Sequence, residues 1–411
     1  MRTVRLLRVT KVDNALEIIW RSFRPLAAEE VGLDIAGGRY LAEEIVAPED
    51  VPAFDRSTVD GYAVRAAETF GAQESLPALL EKVGKVRMGE EAIPIKTGQC
   101  CYVPTGGMLP DGADAVVMIE QTTEVDGLAH IYKQVAPGEN IIKRGEDIRR
   151  QQTVLRKGQK LRGPEIGLLG ALGITGVKVV RRPVVGLLST GDEVAPVDTP
   201  VLAPGWIRDA NGVALAYLVT QTGARVVRGG IIPDRYKDLY VGVQSLLEKV
   251  DMVVLSGGSS VGERDFIPRV LKELSGGDLL IEGIAIQPGK PTILAKCGEK
   301  PILGLPGHPV SALTIFALFG CALIKRLSGA GDREWQPTVR AQLTKNIPSR
   351  PGRVDLVRTA LQGREGKVLA TPVFGRSGLL HTLAEADGVI CIEAERDGLS
   401  AGEEVEVYLW V

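Results

Sequence analysis

Apolar residues recur at helical spacing in KVDNALEIIWRSFR, residues 11–24, and the pattern stops before Pro25, so a helix is expected there. From about Val46 to Asp147 the texture changes. Pro, Gly and alternating apolar residues recur, as in LLEKVGKVRMGEEAIPI and QCCYVPTGGMLP, which reads as a small β domain. The stretch RRQQTVLRKGQKLRGPEIGLLGALGI returns to strand and helix and is expected to pack with the first helix, making the β domain an insertion. Between Arg182 and Gly331, PVVGLLSTG, ARVVRGGII and DMVVLSGG are apolar runs of the kind found in buried parallel strands. Helices alternate with them. DANGVALAYLVTQTG has Asp209 or Asn211 as N-cap and Gly223 as its stop. After Pro233, Leu239, Val243, Leu246, Leu247 and Val250 form one stripe, and DFIPRVLKEL reads as a short helix. The tail from about Trp335 is strand-like again, with PGRVDLVRTA, KVLATPV, GVICIEA and EVEVYLWV between charged or glycine turns.

The fold class expected is therefore α/β plus β, in several domains. A doubly wound α/β domain takes 182–331 and an inserted β domain 46–147. An N-terminal helical and linker domain takes 1–45 with 148–181, and a small β domain or barrel 332–411. In a doubly wound sheet ligands bind beyond the carboxyl ends of the strands, so the loops LSTGDE, LSGGSSVGERD and GLPGHP are expected to share one edge.

The chain has 411 residues, enough for about two to four domains. A formal net charge of −2 lacks the basic excess of a protein that tracks nucleic acid. Small anions need only backbone amides and one or two cations. The five cysteines are odd in number and without zinc-site spacing, and the three histidines are scattered, which fits reduced thiols in a cytoplasm. The N-terminus shows no apolar signal core. The longest apolar stretch, Val310 to Ile324, falls short of the ~20 residues a membrane crossing needs, so a buried helix and a soluble protein without membrane contact are expected.

Candidate chemistry gathers in the strand-end loops. In LSGGSSVGERD, Ser256, Gly257, Gly258 and Ser259 let backbone N–H groups close around an oxyanion, and Glu263 and Asp265 follow where a divalent cation would bridge acid and phosphate. A tight turn with solvated acids is the plain alternative. The loop is neither GxGxxG nor a P-loop. Ser189, Thr190 and Gly191 form a second such loop, with Asp192 and Glu193 as metal ligands or as a helix cap. GLPGHPVSA brings Pro306, Gly307, His308 and Pro309 to a helix N-terminus, a natural seat for an anion. IQPGKPT presents Lys290 in a rigid frame, as a cation for a ligand or as a solvated turn lysine, and His308 reads equally as a ligand contact or as a polar loop residue. Upstream, PAFDRSTVDGYAV carries Asp55, Arg56, Ser57 and Asp60, YVPTGGMLPDGADAVVMIE carries Thr105, and RGEDI carries Asp147.

In this order, PAFDRSTVDGYAV, VPTGGMLPDGADAVVMIE, ENIIKRGEDI, LSTGDEV, LSGGSSVGERD, QPGKPT and GLPGHPVSA resemble the molybdopterin molybdenumtransferases, the MoeA family to which the E domain of gephyrin also corresponds. The resemblance spans about residues 10–400. It implies a MogA-like molybdopterin-binding α/β domain, a C-terminal β-barrel and an elongated homodimer whose cleft lies between the α/β domain of one subunit and the inserted domain of the other. It also implies a reaction: adenylylated molybdopterin takes up molybdate or tungstate with release of AMP, assisted by Mg²⁺, and a molybdopterin adenylyltransferase supplies the substrate. Asp60, Thr105 and Asp147 would then serve from the inserted domain, and Glu193, Asp234 and Asp265 from the α/β domain. Asp60, Glu193 and Asp265 would hold the metal, and Pro306 and Pro309 would shape the loop near the pterin phosphate. The family's frequent Lys-Pro-Gly-Lys is Gln287-Pro-Gly-Lys290 here, which leaves the oxyanion to Lys290 or to an arginine. His308 stands where Asn is common. An adenylyltransferase or amidase relative would lack PAFDRSTVDGYAV, and a scaffold resembling gephyrin would bind molybdopterin without releasing AMP.

Overall fold

The structure, a computed structural model, describes residues 9–257, 266–331, 338–364 and 366–410. Its chain falls into two compact units. One takes in Met1–Ala42, Gly158–Leu161 and Lys178–Val411, the other Glu43–Lys157 and Arg162–Val177.

The first unit is built on a six-stranded sheet in the order Arg225–Ile232, Val184–Thr190, Met252–Ser256, Lys300–Leu305, Ile293–Cys297, Leu279–Glu282. The first four strands are parallel, Ile293–Cys297 runs against them, and Leu279–Glu282 at the edge pairs antiparallel with it. Apolar side chains point to both faces because both are covered. Val185, Leu187, Met252, Val254, Leu303 and Leu305 face a core shared with Ala15 and Ile19 of the helix Val12–Ser22 and with Leu215 and Val219 of Ala210–Gln221. On the other face Leu188, Val253, Leu255 and Ile302 meet Leu239, Val243, Leu246 and Leu247 of the helix Tyr236–Leu247, whose single apolar stripe was expected. Asp209 is the N-cap of Ala210–Gln221, accepting from the Gly212 N–H at 2.8 Å. Gly223, at φ +90°, ends that helix in the left-handed region.

The long apolar stretch is one continuous helical run, Pro309–Ile315, a π turn Phe316–Gly320, then Cys321–Leu327. It is long and apolar enough to cross a membrane by composition, yet Phe316, Phe319, Leu323 and Ile324 are buried in the core beneath the sheet. It serves as an interior helix.

The C-terminal strands close into a five-stranded barrel, Val354–Arg364, Lys367–Pro372, Thr338–Leu343, Glu404–Leu409 and Gly388–Ile392, the last pairing back to the first. Ala341, Leu343, Ala370, Ile390, Ile392 and Val407 fill it. A short strand of the α/β region, Ile286–Gln287, adds in parallel to its edge, with Ile286 opposite Val354 and Gln287 opposite Asp355. That pairing sets the Gln-Pro-Gly-Lys turn against the barrel.

The second unit carries a six-stranded sheet in the order Ala115–Met118, Gly61–Val64, Gln99–Val103, Ala78–Lys85, Leu128–Ile131, Thr122–Val125. Tyr62, Val64, Leu80, Cys100 and Val117 form one core face, and Ala63, Cys101, Val103 and Val116 the other. Its helix Gly163–Ala171 is capped by Glu165, whose carboxylate accepts from the Arg162 backbone N–H at 2.8 Å and from the Arg162 guanidinium at 2.7 Å. The Arg162 guanidinium holds the Glu165 carboxyl down at about 2 against an ordinary 4.5. A depressed carboxyl stabilises the fold above its unfolded value and loses that contribution as pH falls through the folded one. Glu165→Gln is therefore expected to cost about 1 kcal/mol near pH 7, the usual size of a cap. In urea melts from pH 6 to 2 its deficit against the wild type should shrink below about pH 4.5. A deficit constant with pH would show that the carboxylate's charge plays no part.

Candidate active site

The carboxyl ends of the parallel strands finish level. Ser189 lies opposite Ser256 and Ser256 opposite Leu305, so the loops that follow leave from one edge, as the sequence led us to expect. The hydroxyls at these ends are committed inward. Ser189 Oγ donates to Asp209 Oδ2 at 2.7 Å, and the Thr190 hydroxyl donates to the Asp234 carboxylate. The Asp234 N–H reaches Asp192 Oδ1 at 3.2 Å. Asn211, with no role assigned beyond a possible cap, ties two loops together: its Nδ2 donates to Ser256 Oγ and to the Gly307 carbonyl, each at 2.8 Å. Gly257 sits at φ +129°, where a Cβ would lie 2.1 Å from the Thr190 carbonyl oxygen. That turn admits glycine alone. Asp192 and Glu193 stand exposed at the edge, and Asp234 is half-buried. Gly258, Ser259, Glu263 and Asp265 lie outside the described residues.

Beside this edge a cleft of about 1020 Å³ runs between the Gln287–Pro291 turn, the Pro306–His308 loop and the barrel. Among the described residues six cationic side chains line it, Lys11, Lys290, Arg350, Arg353, Arg358 and Arg376, and Asp355 is the one carboxylate. Asp355 is already engaged, accepting from Arg353 Nε and Ser349 Oγ, both at 2.8 Å. Lys290 projects into solvent from a turn held by its own carbonyl, which accepts from the Ile284 N–H at 2.9 Å. Arg358 is only 8% exposed, and burial draws its guanidinium below the ordinary value. An arginine stays charged under such a shift. It donates to the Gly375 carbonyl at 2.8 Å. His308 stands at the N-cap position of the helix Pro309–Ile315, and its Nδ1 shares a 3.1 Å hydrogen bond with Ser377 Oγ. Cations gathered in one cleft with few counter-charges attract a compact dianion, and Arg353 and Arg358 are already held in place by their hydrogen bonds.

Arg350, Arg353, Arg358, Arg376 and Ser377 were absent from the residues singled out in sequence. Arg353 and Arg358 stand in PGRVDLVRTA, which reads as a strand, Arg350 just before it, and Arg376 and Ser377 in FGRSG further along. The pairing of Ile286 with Val354 brings the first three to the Gln-Pro-Gly-Lys turn, and the Val310 N–H bond to the Ser377 carbonyl brings the last two beside the Pro306–His308 loop.

In the second unit, Asp60 Oδ1 accepts from the Thr105 N–H at 2.8 Å, and the Gly106 N–H donates to the Ser57 carbonyl at 2.8 Å. PAFDRSTVDGYAV and PTGG thus form one exposed turn pair with a carboxylate and a hydroxyl side by side. Asp147 is exposed on a turn whose N–H meets the Val51 carbonyl at 3.2 Å, and no hydrogen bond joins it to Asp60 or Thr105 among the described residues. Asp50, not singled out earlier, organises that turn: it accepts from Arg144 Nε at 2.7 Å and the Arg150 N–H at 2.8 Å, and those two donors hold its carboxyl below the usual range.

A doubly wound sheet with acids at its strand ends, set beside a cationic cleft and a small barrel, defines a multidomain α/β protein built for anionic ligands. Residues 10–173 match the MoeA N-terminal region (domain I and II), 186–326 the "Probable molybdopterin binding domain", and 340–410 the MoeA C-terminal region (domain IV). The molybdopterin molybdenumtransferase of Bacillus subtilis is 34% identical over 97% of this chain and 93% of its own. That of Haemophilus influenzae is 36% identical over 93% and 94%. The crystal structure of a molybdopterin biosynthesis MoeA protein from Pyrococcus horikoshii superimposes with a TM-score of 0.84 at 30% identity, covering 98% of this chain and 100% of that one. The chain belongs to the MoeA family of molybdopterin molybdenumtransferases, transferases of molybdenum cofactor biosynthesis.

Proposed function

We propose that the protein inserts molybdate or tungstate into adenylylated molybdopterin and releases AMP. The single observation that supports this most is the cationic cleft, whose six cations suit a tetrahedral dianion without any help from the missing lysine at Gln287. Arg358 and Arg376 from the barrel would take up that lysine's part beside Lys290. The level strand ends would receive the pyrophosphate, with Gly257 and Gly307 allowing close backbone approach.

Among the described residues no three acidic, thiol or imidazole groups converge as a ready cation cage. Mg²⁺ commonly takes one or two carboxylates and completes its shell with phosphate oxygens and water, so Glu193 and Asp234 fit as its protein ligands, with Asp60 and Asp265 as the further carboxylates proposed. When bound, the ion would neutralise charge on the departing phosphate. Asp192 and Asp234 would hold the Thr190 turn against the phosphates, and Lys290 would keep the oxyanion oriented. We propose further that the enzyme works as a homodimer in which Asp60, Thr105 and Asp147 serve the partner copy's α/β loops. A molybdopterin adenylyltransferase would supply its substrate. The five free thiols suit a cytoplasmic setting.

Incubation with adenylylated molybdopterin and Mg²⁺, following AMP by chromatography, is expected to show release that depends on added molybdate or tungstate. Tight binding of the pterin with no AMP released under any oxyanion would overturn the proposal and favour a scaffold.

A further inference from the structure

We propose that Phe374 is the platform on which a fused heteroaromatic ring of the substrate stacks, which makes it a specificity-determining residue; this rests on the function proposed above. Phe374 is 57% exposed and lines the cationic cleft. A large apolar side chain left in water on a loose loop would carry little meaning, but this one stands on a segment pinned from both sides. The Val373 N–H donates to the Arg358 carbonyl at 2.8 Å, and the Arg358 guanidinium returns to the carbonyls of Val373 at 3.4 Å and Gly375 at 2.8 Å. Two residues on, the Ser377 carbonyl accepts from the Val310 N–H at 3.1 Å while its hydroxyl meets His308. Gly375 is packed so closely that a Cβ would come 2.9 Å from Thr382 Cγ2.

The backbone around Phe374 is thus fixed by a buried arginine and by the loop that opens the interior helix, and the ring is held in the open cleft rather than folded under. The same cleft is also lined by rigid, flat residues, Pro288, Pro306 and Pro348, and by the cations Lys290 and Arg376. A planar ring carrying an anionic tail matches that combination: the tail goes to the cations and the ring to the aromatic face. Adenylylated molybdopterin offers two such rings, pterin and adenine.

The test compares Phe374→Ala, Phe374→Leu and Phe374→Tyr in the full-length protein. The KM for adenylylated molybdopterin is expected to rise about tenfold in the Ala and Leu variants, a modest figure for one lost stacking partner, and to return in the Tyr variant. The KM for molybdate should stay unchanged. Binding of molybdopterin and of AMP, measured separately, identifies the stacked ring as the one whose affinity falls. An unchanged KM in Phe374→Ala overturns the proposal. So does a Leu variant as good as the wild type, which would reduce Phe374 to an apolar filler, or a changed oligomeric state without a changed KM, which would make it a contact between copies. If the wild type releases no AMP, the function proposed above fails on its own, and the two binding measurements still decide whether Phe374 stacks a ring.

Discussion

Gly257→Ala is expected to lower turnover at least a hundredfold and to destabilise the first unit by about 2–5 kcal/mol, by adding the cost of a disallowed backbone conformation to that of overpacking. The reason is geometric. At φ +129° an L side chain is strained whatever the space, and the new Cβ would stand 2.1 Å from the Thr190 carbonyl oxygen and 3.0 Å from its carbonyl carbon. Those are backbone atoms at the end of a central strand, so neither can rotate away. Relief requires the Val184–Thr190 and Met252–Ser256 strand ends to part, which would break the Thr190–Asp234 contact and splay the loops that share the edge. Gly223→Ala is the control. It too has a left-handed φ, +90°, but nothing lies within 4 Å of its Cβ, so only the backbone strain of about 1 kcal/mol applies and turnover should hold. Urea unfolding and AMP release measured on both variants separate the effects. Normal turnover in Gly257→Ala would show that the strand-end turn is not part of the site.

What could be read in the chain follows from how local each signal is. The parallel strands were legible because burial on both faces makes them continuous apolar runs, and the stripe from Leu239 to Leu247 because its face meets a single core. The cap of Ala210–Gln221 was open between Asp209 and Asn211, since both residue types cap helices. Asp209 takes the part because its carboxylate reaches the N–H three residues on, which leaves Asn211 to bridge Ser256 and Gly307 across the sheet edge. No sequence pattern carries that bridge. Gly61 shows the opposite limit. It belongs to the VDGYAV motif beside Asp60, yet its Cβ would fall 1.9 Å from the Val117 carbonyl oxygen, so strand pairing by itself demands glycine there. The cationic cleft was the least legible part. Only Arg358 among its arginines stands in a barrel strand, while Arg350, Arg353 and Arg376 sit in the turns around it, and their approach to Lys290 depends on a pairing between residues 286 and 354.

Asp60→Ala is expected to fold normally and to lose about a hundred- to a thousandfold in turnover, on the scale of removing a charge-stabilising group from a reaction centre. Asp60 is exposed, and its side chain accepts from the Thr105 N–H at 2.8 Å at the surface, where water replaces a lost partner cheaply. Asp60→Asn keeps an acceptor for that N–H and removes only the charge. If the carboxylate acts as a charge, Asn should be as inactive as Ala; if it merely shapes the turn, Asn should recover most of the rate. A mixing experiment then places the residue. Glu193, exposed at the α/β edge, gives a second inactive variant, Glu193→Ala, whose fold is equally unthreatened. If each site takes Asp60 from one copy and Glu193 from the other, half the dimers in an equal, fully exchanged mixture are mixed, and each has one intact site. About a quarter of wild-type turnover should then return from two dead proteins, by the symmetry of a twofold dimer. No recovery, with exchange shown by native mass spectrometry, would place both residues in the same copy's site. Full activity in Asp60→Ala alone would remove Asp60 from the chemistry altogether.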